Sequence, residues 1–189
     1  MAGRFDLAIF DLDGTLADTA PDIERALNKA MADFGRPPVP HERVLRSIGA
    51  GAKASCEAIL PGEDLERAAE IVTRYREYYD AANTVWTQPF AGIDGALEAL
   101  RAGGVKMAVA SNKRQPQSEQ IIRELGLMGY FSDVFGPEDV ERPKPEPDML
   151  KLTMERCGVG PDRSVMVGDT VYDVAAGRAS GATTALVTR

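Results

Sequence analysis

In this chain of 189 residues, four polar segments carry side chains able to do chemistry, and three of them stand where a short apolar run stops. Asp11-Leu12-Asp13-Gly14-Thr15 follows Phe5–Phe10, Ser111-Asn112-Lys113 follows Val105–Ala110, and Gly168-Asp169-Thr170-Val171-Tyr172-Asp173 follows Ser164–Val167. Lys144 stands in Arg142-Pro143-Lys144-Pro145. The i, i+2 spacing of Asp11 and Asp13 would put both on one face of an extended segment. Two carboxylates suit two roles: one attacks phosphorus, and the other donates a proton to the leaving group and later activates water. Gly14 lets the backbone approach a ligand closely. Four carboxylates brought together repel, and their burial is costly unless a cation neutralises them. A hard cation with oxygen ligands is implied, and magnesium fits best, because it takes one or two carboxylates, keeps several waters and completes its octahedron with a phosphate oxygen. Lys144 and Lys113 would add positive charge to hold a phosphoryl group. The flanking prolines would stiffen the Lys144 loop.

Each of these residues has a plainer role beside the chemical one. An isolated Asp-x-Asp-Gly commonly caps a turn. Asp169 could serve as the N-cap of a helix beginning near Val171, and Asp173 as a first-turn acid. Ser111 and Asn112 could cap the helix that follows them, and Lys113 and Lys144 could be solvated loop lysines. Lys53, after Ile48-Gly49-Ala50-Gly51-Ala52, lies on a Gly-rich stretch of the kind that often just joins helices. His41, the single histidine, reads as a solvated helix start and supports no histidine-based triad. Cys56 reads as a small core residue, and Trp86, Tyr75, Tyr78 and Tyr79 as packing.

The elements that must position these segments follow from the apolar pattern. Phe5–Phe10, Val105–Ala110 and Ser164–Val167 read as buried strands, with Thr183–Val187 a fourth. Gly95–Ala102, Gln117–Leu125, Pro147–Cys157 and Val171–Ala179 carry helical spacing, with Gly103, Gly126, Gly158 and Gly181 at their ends. This alternation predicts an α/β fold, a Rossmann-like parallel sheet covered by helices on both faces. In such a sheet the site lies beyond the carboxyl ends of the strands, where the polar segments stand. Pro21 to Tyr79 breaks the pattern by reading as helical throughout, with interruptions at Gly35–Pro40, Ile48–Gly51 and Pro61-Gly62. The expected organisation is a core of residues 1–16 and 88–189 with an inserted helical cap, 17–87, hinged near Ala17–Pro21 and Gln88–Gly92.

Composition bounds the partners. Hydrophobic residues make up 44% and charged residues 27%, an ordinary globular balance. With 22 basic and 29 acidic residues the net charge is −7, a field that repels a polyanion, so nucleic acid is not an expected partner. Cys56 and Cys157 match no metal-ligand spacing and suggest a reducing compartment. The first ten residues are too short and too acidic for a signal peptide or a spanning helix, so the expectation is a cytoplasmic protein without a membrane partner, as a monomer or homodimer.

Taken in order, Asp-Leu-Asp-Gly-Thr, Ser-Asn-Lys, the lysine of Arg-Pro-Lys-Pro and Gly-Asp-Thr-x-x-Asp resemble the haloacid dehalogenase superfamily of phosphohydrolases over nearly the whole chain. The resemblance implies Asp11 as nucleophile, Asp13 as general acid and base, Ser111 as a donor to the phosphoryl group with Asn112 beside it, and Lys144 as the charge that orients Asp11. It implies magnesium held by Asp11, the backbone carbonyl of Asp13 and Asp169, with Asp173 a further ligand or support. Gly14, Thr15, Lys53, Ser111, Asn112 and Lys113 are the expected substrate-binding positions. Leu16–Ile23, Ile48–Lys53 and Thr87–Phe90 look like the phosphoglycolate phosphatase branch, in which Lys53 would reach a substrate carboxylate from the cap. A small phosphorylated metabolite is the expected substrate. Asp13 argues against a dehalogenase or a phosphonate-cleaving relative, whereas a pyrophosphatase, nucleotidase, sugar phosphatase, phosphomutase or non-catalytic binder remains open. Similar members run on for about thirty residues beyond the strand corresponding to Thr183–Val187, so packing along that edge is expected to be weaker here.

Overall fold

The computed structural model describes residues 4–60 and 65–188. The Pro61-Gly62 interruption expected in the insert therefore lies outside the described residues. The chain divides into two compact units, Met1–Ala17 with Pro89–Arg189, and Asp18–Gln88.

The first unit is built on β1 (Leu7–Phe10), β4 (Lys106–Ala110), β5 (Val134–Phe135), β6 (Ser164–Gly168) and β7 (Thr183–Leu186), in the spatial order β5-β4-β1-β6-β7. All pairs are parallel. Every residue of β1 is buried, as its unbroken Leu-Ala-Ile-Phe run requires of a strand covered on both faces. Phe10 lies opposite Val109 on one side and Val167 on the other. The parallel register therefore delivers the residues after β1, β4 and β6 to the same end of the sheet. Because the chain builds outward from β1 first through β4 and later through β6, the order reverses at β1, and a crevice is expected at its carboxyl end.

Helices α5 (Ile93–Ala102), α6 (Gln115–Glu124), α7 (Asp148–Cys157) and α8 (Val171–Ser180) connect these strands. The apolar faces of α7 and α8 join a core in which Leu7, Ile9, Met149, Leu150, Met166 and Ala176 are fully buried together. Burial of each of the larger ones stabilises the fold by about 1.5–3 kcal/mol. The α/β expectation holds, with one addition: β5 was not anticipated. Two residues show no period, and β5 exists because Val134 and Phe135 pair with Val109 and Ala110.

The second unit contains α1 (Ala20–Asp33), α2 (His41–Ser47), α3 (Ala52–Ile59) and α4 (Leu65–Ala81). α4 packs on α1 and α3, and α2 on α1 and α3. The boundary between the units falls within a two-stranded ribbon of β2 (Ala17–Asp18) and β3 (Gln88–Pro89). Cys56 is buried, and Tyr75 and Tyr79 are buried and stacked, with ring centroids 5.6 Å apart. Trp86 corrects the packing expectation: it is 54% exposed, with the Arg25 guanidinium over its ring at 5.8 Å. Tyr78 also turns outward, donating to Asp33 at 2.6 Å under the ammonium of Lys29. His41 opens α2 in an exposed position, but it is paired with Glu24 at 2.6 Å. Among the described residues no helix is long and apolar enough to cross a membrane.

Candidate active site

Immediately after β1 the chain closes into a tight turn. The Leu12 carbonyl accepts from the backbone N–H groups of Thr15, Leu16 and Ala17 at 3.0–3.2 Å, while the Leu12 side chain is fully buried. Asp11 and Asp13 flank this anchor, and each meets a different lysine. The Lys144 ammonium lies 3.0 Å from Asp11 Oδ1. Lys113, delivered by the end of β4, places its ammonium 3.1 Å from Asp13 Oδ2. Both pairs are nearly sealed from solvent.

Lys144 serves two acids. Its ammonium also donates to Asp173 Oδ1 at 2.6 Å. Asp173, fully buried on the first turn of α8, uses Oδ2 to accept from the Thr170 backbone N–H at 3.0 Å and the Thr170 hydroxyl at 2.6 Å. Thr170, not Asp169, is therefore the N-cap of α8. Asp173 is thus a first-turn acid of α8 that also meets Lys144. The Lys144 loop is pinned from outside by Arg142, which makes two 3.0 Å hydrogen bonds to Asp148 across it. From inside, the Asn112 amide donates to the Lys144 carbonyl at 2.8 Å. Thus Asn112, expected at the substrate, holds the loop that carries Lys144. Ser111 adds a hydrogen bond to Asp11.

Asp169 is half buried and accepts from the Thr15 hydroxyl at 3.1 Å. Thr15, also expected at the substrate, orients this carboxylate. The approach of Asp169 depends on Gly14, whose φ is +79° and where an added Cβ would fall 2.1 Å from Asp169 Oδ2. Gly168 plays the same part for Asp173, since a Cβ there would fall 2.3 Å from the Asp173 Cγ.

Asp11, Asp169 and Asp173 each offer an oxygen, all within 4.8 Å of one another. The Asp13 carboxylate is outside this trio and faces Lys113. Burial pushes the Asp11 carboxyl up to about 7; Lys144 and the Ser111 hydrogen bond oppose the rise, and Asp173 and Asp13 add to it. Lys144 is held above its ordinary value: burial acts to lower it, but Asp11 and Asp173 outweigh that effect. One ammonium among three crowded acids leaves an excess of negative charge, so the trio fits a hard divalent cation. Lys53 is not part of this cluster; it lies on α3 of the second unit, 80% exposed, with Glu57 at 3.9 Å.

The arrangement offers a buried carboxylate, a second one two residues away, and two ammonium groups at the carboxyl end of a parallel sheet. The haloacid dehalogenase-like hydrolase family matches residues 8–187 of the chain. Phosphoglycolate phosphatase of Aquifex aeolicus is 38% identical over 178 residues, covering 94% of this chain and 82% of that protein. Phosphoglycolate phosphatase 1 of Pseudomonas aeruginosa is 33% identical, covering 96% and 69%. Among solved structures, a predicted phosphoglycolate phosphatase from Haemophilus somnus superposes with a TM-score of 0.88 at 25% identity, covering 96% of this chain and 84% of that one. With all but a few terminal residues matched, and with the acids standing where the strand order reverses, the chain belongs to the haloacid dehalogenase-like hydrolase family.

Proposed function

We propose that this chain is a magnesium-dependent phosphatase acting on 2-phosphoglycolate through an aspartyl-phosphate intermediate on Asp11. The observation that carries the reading is the convergence of Asp11, Lys144, Asp173 and Asp169, with Asp13 held separately by Lys113. The relatives named phosphoglycolate phosphatase supply the substrate.

In the first half-reaction an Asp11 oxygen attacks phosphorus. The bond from phosphorus to the ester oxygen breaks, and Asp13 gives its proton to that oxygen so that glycolate leaves. In the second half-reaction Asp13 takes a proton from water as the water oxygen attacks phosphorus. Phosphate leaves and the Asp11 carboxylate is restored. Lys144 favours the ionised form of Asp11 and aims it, and Asp173, fixed by Thr170, keeps Lys144 in place. Asp11, Asp169, the Asp13 carbonyl and Asp173 are the groups that would hold magnesium. When bound, the ion supplies Lewis-acid neutralisation of charge on the phosphoryl oxygens. Ser111 donates toward the phosphoryl group. In this reading the Asp18–Gln88 unit is the cap, Lys53 reads the substrate carboxylate from it, and the enzyme works in the cytosol as a monomer or homodimer. The buried, unpaired thiols of Cys56 and Cys157 support a reducing compartment.

The test is phosphate release from 2-phosphoglycolate, pyrophosphate, sugar phosphates, nucleotides and an aryl phosphate, with magnesium and with chelator. Magnesium-dependent turnover dominated by 2-phosphoglycolate is the expected result. Preference for another ester would overturn the substrate assignment, and no release from any of them by folded protein would overturn the activity. Lys53→Ala is expected to impair phosphoglycolate more than the aryl phosphate; equal effects remove Lys53 from recognition.

A further inference from the structure

Among the described residues, the proposed reaction leaves one buried aspartate without a role. Asp22, in the first turn of α1, is fully buried, and a carboxylate in that position is costly unless hydrogen bonds replace its water. They come from the far end of the same unit. Asp22 Oδ2 accepts from the backbone N–H of Trp86, the backbone N–H of Thr87 and the Thr87 hydroxyl, each at 2.9 Å, across 64 and 65 residues of sequence. The other oxygen receives Arg25 Nε at 3.4 Å, and Arg25 also donates to the Ala82 carbonyl. The Asn83 carbonyl, also at 2.9 Å, is a second acceptor for the single proton of the Thr87 hydroxyl.

The first turn of α1 thus grips the whole returning segment, just before β3 carries the chain back into the first unit. Asp18 and Gln88, the last residues of the unit at each end, lie four and one residues from the gripped positions. Two of the segments singled out in the sequence meet here: Leu16–Ile23 brings the acceptor, and Thr87–Phe90 brings the two donors on Thr87. The β2–β3 ribbon already pairs the two connections through the backbone, and the carboxylate adds a second tie from side chain to backbone next to it.

We propose that Asp22 is a positioning residue: its carboxylate locks the outgoing and returning ends of the Asp18–Gln88 unit into a single neck, and turnover depends on that lock. The kinetic consequence rests on the phosphatase reading; the lock itself does not. The variants that test it are Asp22→Asn, which sets an amide among three donors, Thr87→Val, which removes one donor, and Thr87→Ser, which restores it. Amide hydrogen exchange at Trp86 and Thr87 is read beside the emission of Trp86, the single tryptophan, kcat and KM for 2-phosphoglycolate, and a magnesium titration.

In Asp22→Asn both amides are expected to exchange at least about tenfold faster, as loss of hydrogen bonds to a charged acceptor implies, with a shifted Trp86 emission. kcat is expected to fall by a similar factor while magnesium affinity stays unchanged. Thr87→Val should show smaller changes of the same kind, and Thr87→Ser none. Retained protection of both amides in Asp22→Asn overturns the proposal, as does equal kcat in the Val and Ser variants. If Asp22→Asn does not fold, the Val and Ser pair decides. If the wild-type chain releases no phosphate from 2-phosphoglycolate, the functional reading fails, and the exchange series alone decides the lock.

Discussion

Gly14→Ala separates the geometry of the acid cluster from the stability of the fold. The new methyl carbon would lie 2.1 Å from Asp169 Oδ2 and 2.7 Å from its Cγ. Contacts of this kind begin near 3.0 Å, so the carboxylate must retreat by about 0.9 Å. Misplacement of a reacting or ligating group by about 1 Å costs roughly 100-fold in rate. The backbone at Gly14 also has φ +79°, where a residue with a Cβ costs about 1–2 kcal/mol. In a chain of this size that corresponds to about 2–8 °C in Tm. Gly158→Ala supplies the control. Gly158 ends α7 at φ +64° with nothing within 4 Å of its added Cβ, so it incurs the strain without the clash. Both variants are expected to melt lower by similar amounts, and only Gly14→Ala to lose about 100-fold in phosphate release and most of its stabilisation by magnesium. Turnover near wild type in Gly14→Ala, or an equal loss in Gly158→Ala, would refute the reasoning.

Lys144→Met leaves Asp11 and Asp173 without their shared ammonium; removing one partner of a buried ion pair costs about 3–5 kcal/mol, to be read by denaturant unfolding, and a loss under about 1 kcal/mol would contradict it. Thr15→Val takes the hydroxyl from Asp169 at a cost of about 1 kcal/mol, seen as a roughly fivefold weaker magnesium titration midpoint, and an unchanged midpoint speaks against an orienting role. Asp13→Asn is expected to slow 2-phosphoglycolate more than an aryl phosphate with a good leaving group; equal losses would contradict the acid role. Burial pushes the Cys56 thiol up from 9.0 to about 11, so the stability favouring its neutral form is complete below pH 9.0 and disappears as pH rises through about 11. The stability difference between wild type and Cys56→Ala should shrink over that window, and a constant difference would refute the assignment.

The strands that carry the site were legible because Leu7–Phe10, Lys106–Ala110 and Ser164–Gly168 are apolar runs that end abruptly in polar residues, a pattern local to each segment. What the sequence left undetermined is long-range. β5 is two residues defined only by their partner strand. Which acid each lysine meets depends on the parallel register of β1, β4 and β6, so nothing near Lys113 or Lys144 marks one for Asp13 and the other for Asp11. Asn112 and Thr15 are marked by their place in the motifs, but that Asn112 donates to the Lys144 carbonyl and Thr15 to Asp169 is set by the fold. Nothing in the sequence near Asp22 marks its backbone partners, because these donors lie 64 and 65 residues away.

Passage of phosphate through Asp11 is open to a rapid acid quench during turnover of 2-phosphoglycolate with magnesium, followed by peptide mass analysis. A peptide bearing one phosphoryl group on Asp11 is expected, more abundant in Asp13→Asn under an aryl phosphate, and absent from Asp11→Asn, which should also release no phosphate. Phosphate release at an undiminished rate from Asp11→Asn, or turnover with the phosphoryl group trapped on another residue, would contradict passage through Asp11.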